Sequence, residues 1–247
     1  MMDTPPFWLT FLRSHQRLLH FIRFLYLFPL SLVVFLLHPK RMGRYLYDYF
    51  NSEISLQSYF LNFYGPQMLQ RTIRNARESG LEPFLVWGSL LGFRRGRSII
   101  KHDDDIDLGL INPDPLKIKQ LIILMAQSGF TKKNEKSIRK FKNIENKITI
   151  LGFQHTVWRT TTDFYFFYPM DRQFVYINSS NPDALVLHMF PEEILMNFEQ
   201  EKFLDTEVLI PKKTDEFLTT CYGDWNTIQR EKRPCLNTEI IHEPETY

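Results

Sequence analysis

From Asp105 to Leu110 the chain alternates strictly: Asp105, Asp107 and Gly109 share one parity, Ile106, Leu108 and Leu110 the other. A period of two belongs to a β-strand, whose side chains point to opposite faces in turn. The segment is therefore expected to be a half-buried strand, anchored on its apolar face and carrying carboxylates on the other. Asp103 continues the acidic parity upstream, and Asp104 lies between it and Asp105. Carboxylates held side by side raise one another's pKa unless a cation neutralises them. All-oxygen donor sets suit hard cations such as Mg²⁺ or Mn²⁺. The run reads as a divalent-metal platform. A solvated acidic turn would leave the alternating apolar residues without purpose. An EF-hand loop, whose ligand positions Asp103, Asp105, Asp107 and Asp114 would occupy, fails because Leu108 stands where its glycine is needed and Asp114 where its bidentate Glu is needed.

Upstream, Pro83 to Trp87 is a short apolar run that reads as a buried strand, and it ends at Gly88-Ser89. A strand that turns at Gly-Ser into a helix start exposes backbone N–H groups and a small hydroxyl, which suits phosphate. Arg94, Arg95 and Arg97 follow closely and offer bidentate donors. Alone, Gly-Ser is an ordinary tight turn. Followed by arginines and an acidic strand, it makes a phosphate-plus-metal constellation with Gly88, Ser89, Arg94, Arg97 and Asp103 as candidate substrate contacts.

The stretch Trp87-Gly-Ser-Leu-Leu-Gly92-Phe-Arg-Arg-Gly96, with Ile99 to Asp107 after it, resembles the LicD/fukutin family of phospho-alcohol transferases, in the DNA polymerase beta-like nucleotidyltransferase superfamily. The resemblance spans roughly residues 60 to 226. Asp163, which opens the apolar run Asp163 to Tyr168, stands where the superfamily's third carboxylate sits, and Leu218 to Trp225 resembles the family's closing element. Family members carry tryptophan or proline-tryptophan before the first aspartate, whereas this chain has Lys101-His102. The resemblance implies an α+β fold, a nucleotidyltransferase-like small mixed sheet flanked by helices. It implies metal ligation and catalysis by Asp105, Asp107 and Asp163, a CDP-linked alcohol donor (phosphocholine or ribitol phosphate type) and a glycan or glycoprotein acceptor. Asp103 would lie behind the ligands or act as base; His102 is open between general base and partner to a ligand.

With 247 residues the chain can bury a sizeable core, and 22 Phe and 11 Tyr argue for packed structure. A net charge of +2 gives no nucleic-acid footprint over the whole molecule. The two cysteines, Cys221 and Cys235, cannot build a four-ligand zinc site. Residues 1–45 differ in character. Phe24 to Leu37 is uncharged and apolar, and basic residues flank both ends (Arg13, Arg17 and Arg23; Lys40, Arg41 and Arg44). A span needs about 20 apolar residues, so a membrane anchor, an interfacial amphipathic helix and a buried hydrophobic helix all fit. An anchor would place a catalytic domain of residues 46–247 in the ER or Golgi lumen; the alternative is a bacterial cytoplasmic enzyme docked on a membrane.

Along the rest, Tyr45 to Tyr64 is aromatic-rich cover, and Gln67 to Ser79 reads as a helix closed by Gly80. Asp114 and Pro115 cap a helix running to about Ser128, with Leu116, Leu121, Ile122, Leu124 and Met125 as core. Lys132 to Lys147 reads as a solvated hairpin or loop, and the residues beyond Asn226 as a polar tail. Asn178-Ser-Ser180 is a glycosylation sequon of consequence only in a lumenal domain. Two other classes share these features: a glycosyltransferase using Asp105-Ile-Asp107 for a nucleotide-sugar metal, and a non-catalytic scaffold of the same fold.

Overall fold

A computed structural model of the chain describes residues 55–181, 184–227 and 236–242. The N-terminal anchor or helix expected over 1–45 lies outside them, as does Cys235; among the described residues no helix is long and apolar enough to cross a membrane. The acidic run becomes strand β2 (Asp105–Ile111), but it is central rather than half-buried: Ile106 to Leu110 are buried without interruption. Its neighbours explain why. The short antiparallel β1 (Phe84–Leu85) lies on one side, and the long β5 (Thr161–Met170) runs parallel on the other. A parallel strand inside a sheet covered on both faces buries both parities. Gly109 belongs to the acidic parity and is glycine for a packing reason, because a Cβ there would collide with the Phe84 ring and lie 2.8 Å from Val86 Cγ1.

The sheet is larger than the small one expected. Among the described residues it has ten strands, with β3 (Phe130–Phe141) and β4 (Ile144–His155) forming a hairpin that joins through β4 to β5, next to β6 (Gln173–Asn181) and β7 (Ala184–Pro191). The hairpin β8 (Phe198–Phe203) and β9 (Thr206–Pro211) closes the other edge through β1. The last strand, β10 (Thr238–His242), pairs with β7 from Ala184 to His188, so part of the expected polar tail is a sheet edge. Its exposed Ile240 alternates with the half-buried Ile241, a pattern too short to stand out in the sequence.

Helix α1 (Leu56–Glu78) begins eleven residues before the start expected at Gln67. The Ser55 hydroxyl accepts from the Ser58 N–H and caps it, and Pro66 is carried inside. Tyr59, Phe60, Leu61, Met68, Leu69 and Ile73 are buried, and tertiary burial of this kind outweighs a proline's helix-breaking tendency. Helix α3 (Pro115–Gln127) has the expected cap, the Asp114 carboxylate accepting from Leu116 N–H. It buries Ile118, Leu121 and Met125, whereas Leu116, at the first turn, is 71% exposed rather than core. Helix α1 packs on β2, and α3 packs against α1 and β3. On the other face lie α2 (Trp87–Gly96) and α5 (Thr214–Tyr222), with the single turn α4 (Glu192–Leu195) beside α5. The strand expected over Pro83 to Trp87 shortens to two residues because Trp87 adopts a positive φ of 45° and turns the chain into α2.

Candidate functional site

Register builds the site. β2 and β5 are paired parallel with Asp105 opposite Thr161 and Asp107 opposite Asp163. β4 continues the same rows, with Gly152 opposite Asp163, and β3 extends them to Asn134 opposite Gly152. Paired residues share a face, so one row reads Asp107, Asp163, Gly152, Asn134 and the next Gly109, Tyr165, Ile150, Lys136. Asp103 and Asp104 precede β2 in a turn, and the α1 side chains hold that turn from behind: Ser58 Oγ donates to the His102 carbonyl at 3.0 Å, and Asn62 Nδ2 to the Lys101 carbonyl at 3.0 Å.

The start of α2 is built around Asp107. The β1–β2 ladder stops after Leu85, where the chain turns away. Ser89 Oγ then accepts the Asp107 backbone N–H at 2.9 Å, doing the work of the missing strand carbonyl, while the Val86 N–H still donates to the Asp107 carbonyl at 3.3 Å. The Gly88 N–H donates to the Asp107 carboxylate at 3.1 Å. A Cβ at Gly88 would lie 2.5 Å from Asp103 Oδ2, so glycine is what lets that carboxylate approach. The donors expected to hold a substrate phosphate here hold Asp107.

The electrostatics follow from burial and crowding. Asp107 is 6% exposed, and burial first, then Asp105, Asp103 and Asp163, push its carboxyl well above the usual range, while a hydrogen bond from Tyr165 works in the opposite direction. Burial also raises Asp163; the nearby Lys133 lowers it and Asp104 raises it. Burial and the surrounding carboxylates push the Tyr165 phenol up, so it stays a donor. Asp103, Asp104 and Asp105 can bring one oxygen each within 4.8 Å of one another. Asp163 Oδ1 is buried without a hydrogen-bond partner. A crowded all-oxygen donor set fits a hard divalent cation.

The structure brings Asp103, Asp105, Asp107, Asp163, Gly88 and Ser89 together. It does not bring Arg94 and Arg97 to them. Both sit at the far end of α2, roughly 9 Å (Arg94) and 13 Å (Arg97) along the helix from Gly88 at 1.5 Å per residue. Arg94 makes a bidentate pair with Asp215 at 2.6 and 2.9 Å, Arg97 pairs with Glu201 at 2.8 Å, and Arg95 donates to the carbonyls of Trp225 and Thr227. Sequence reasoning missed Asp104, whose parity is that of the apolar face; the strand starts only at Asp105, so parity does not govern it. Tyr165 was findable, two residues after Asp163 on the same face. Trp87 packs its ring against Tyr165, Tyr176 and His188 at 5.8, 6.0 and 5.7 Å, which ties α2 to the strands beside Asp107.

Carboxylates from two parallel strands, gathered against a Gly-Ser helix start, define a nucleotidyltransferase-type site. The model of the LicD/FKTN/FKRP nucleotidyltransferase domain matches residues 80–213, more than half of the chain, and the chain belongs to this family. An uncharacterized protein of Rickettsia prowazekii (strain Madrid E) is 24% identical over 160 residues, 65% of this chain and 54% of that protein. An uncharacterized protein of Rickettsia typhi (strain ATCC VR-144 / Wilmington) is 24% identical over 160 residues, 65% of this chain and 46% of that one. The chain thus spans about half the length of the curated relatives it matches. Among solved structures, the crystal structure of ANT(2")-Ia in complex with adenylyl-2"-tobramycin is similar at a TM-score of 0.37 and 12% identity, over 60% of this chain and 69% of that one.

Proposed function

We propose that this chain transfers a phospho-alcohol, of phosphocholine or ribitol phosphate type, from a CDP-linked donor to a glycan hydroxyl and releases CMP. The observation that carries the reading is the row that sets Asp107 beside Asp163 across two parallel strands, with Asp105 one step along and the α2 start facing them. Asp105, Asp107 and Asp163 are the proposed ligands of Mg²⁺ or Mn²⁺, and Asp103 and Asp104 complete the acidic rim. Bound there, the cation would polarise the attacked phosphorus and neutralise the departing nucleoside monophosphate. Ser89 and Gly88 keep Asp107 in place, and Tyr165 donates to it. Asp103, beside the ligands, is the candidate base for the proton of the acceptor hydroxyl. Arg94 and Arg97, engaged with Asp215 and Glu201, take no part.

A glycan acceptor and the apolar N-terminal run suit a membrane-associated enzyme, either lumenal in the ER or Golgi or docked on a bacterial membrane. Protease protection in sealed microsomes separates the two, since digestion of the domain excludes the lumen. The reading is tested by Asp105→Ala in EDTA-stripped, Mn²⁺-restored protein. Turnover and Mn²⁺-dependent donor binding should both be lost while the fold persists; activity like that of the wild type would overturn the metal assignment.

A further inference from the structure

The row that begins with Asp107 and Asp163 does not end there. Asn134 lies two strands further along it, on the edge of the sheet, and reaches Asp163 by two irregularities acting together. β3 is bulged between Lys132 and Asn134, so Lys133 has no partner on β4 and Asn134 moves into register with Gly152. A bulge re-aims the side chain that follows it, and bulges concentrate beside functional sites. Gly152 then leaves the space between the strands open: a Cβ there would collide with both Asn134 Oδ1 and Asp163 Oδ1. Those two oxygens converge on one point from opposite sides.

Both are buried, and neither has a hydrogen-bond partner. Two buried acceptors converging on one point are unfavourable, and buried polar atoms in native proteins are almost always paired. The two ends of a side-chain amide have nearly the same shape, so a half-turn of the Asn134 amide exchanges its oxygen for an NH₂ group with two donors. That half-turn would turn a donor toward Asp163 Oδ1 in place of a second acceptor.

We propose that Asn134 is a positioning residue for Asp163, its side-chain amide donating to Asp163 Oδ1 through the gap left by Gly152. The contact fixes the rotamer of Asp163. Lys133, displaced by the same bulge, adds positive charge near Asp163. The inference rests on the reading of Asp163 as a metal ligand, and the experiment separates the two.

Mn²⁺ alone is titrated into the 247-residue wild type, Asn134→Ala, Asn134→Asp and Asp163→Ala, with free Mn²⁺ followed by electron paramagnetic resonance. Asn134→Ala should weaken affinity by about tenfold to a hundredfold, the usual loss when a ligand's orienting partner is removed. Asn134→Asp should weaken it further, because a carboxylate cannot donate and repels Asp163. If Asn134→Asp binds Mn²⁺ as well as the wild type or better, Asn134 is at most an oxygen donor to the cation, and the amide assignment is overturned. If Asp163→Ala alone leaves Mn²⁺ affinity unchanged, the metal-ligand reading of Asp163 fails. The contact itself is still decided by a double-mutant cycle in metal-free protein: the Asn134→Ala and Asp163→Ala effects on thermal unfolding should be coupled, and additivity overturns the inference.

Discussion

Ser89→Ala isolates the joint between fold and site. The side chain is 8% exposed, and its hydroxyl accepts the Asp107 backbone N–H at the point where β1 has already left the ladder. Alanine fills almost the same volume but leaves that N–H buried and unpaired. An orphaned buried donor costs about 1–3 kcal/mol. For a chain of this size each kcal/mol is worth about 2–4 °C in Tm, so the expected drop is roughly 2–12 °C. The loosened strand end also releases Asp107, whose carboxylate is held by the next N–H along, that of Gly88. Mn²⁺ affinity should therefore fall by about tenfold, as when an orienting partner of a ligand is lost. Calorimetry of metal-free protein measures the first effect and Mn²⁺ titration the second. Unchanged Tm and Mn²⁺ affinity, with only a raised KM for the donor, would refute this account and make Ser89 a direct phosphate ligand.

Metal-free protein should lose stability as pH rises. Burial and three neighbouring carboxylates hold Asp107 above its ordinary 3.8, so its contribution is complete below that value and lost as pH climbs through the raised one. Asp107→Asn should flatten this decline in Tm against pH in EDTA, raise Tm at pH 7 and abolish any Mn²⁺-induced increase; a profile like that of the wild type would refute the crowding argument. Arg94→Ala should leave Mn²⁺ affinity and turnover unchanged and cost under about 1 kcal/mol, since its pair with Asp215 is exposed on both sides. A large fall in kcat/KM would return Arg94 to the phosphate-binding role that its position in the sequence suggested.

What the sequence made legible was local. The alternation at 105–110, the Asp114-Pro115 cap and the Gly-Ser turn each depend on neighbours within a few residues, and all are present in the fold; of the two readings of Lys132 to Lys147, hairpin or loop, the hairpin is the one formed. Asp163 was reached through family resemblance, because an aspartate in an apolar strand carries no mark of the strand it will pair with. Features set by long-range pairing stayed hidden. Asn134 reaches Asp163 only through a bulge and a glycine on another strand. Arg94 and Arg97 looked like phosphate ligands because they are near Gly88 in sequence, yet a helix carries them away along its axis and delivers them to Asp215 and Glu201. The burial of both faces of β2 likewise depends on partners that its own alternation does not encode.

The most direct measurement of the central claim is the identity of the nucleotide released. The chain is incubated with Mn²⁺, a CDP-linked alcohol and a glycan acceptor, and the products are resolved by anion exchange and mass spectrometry. Attack at phosphorus breaks the donor's pyrophosphate bond, so CMP should appear in step with a phosphate-linked alcohol on the glycan, and neither should form in EDTA or with Asp107→Asn. If the active donor is instead a nucleotide sugar and the released product a nucleoside diphosphate, the bond broken lies between sugar and phosphate. That result would contradict phospho-alcohol transfer and make the acidic row the metal site of a glycosyltransferase.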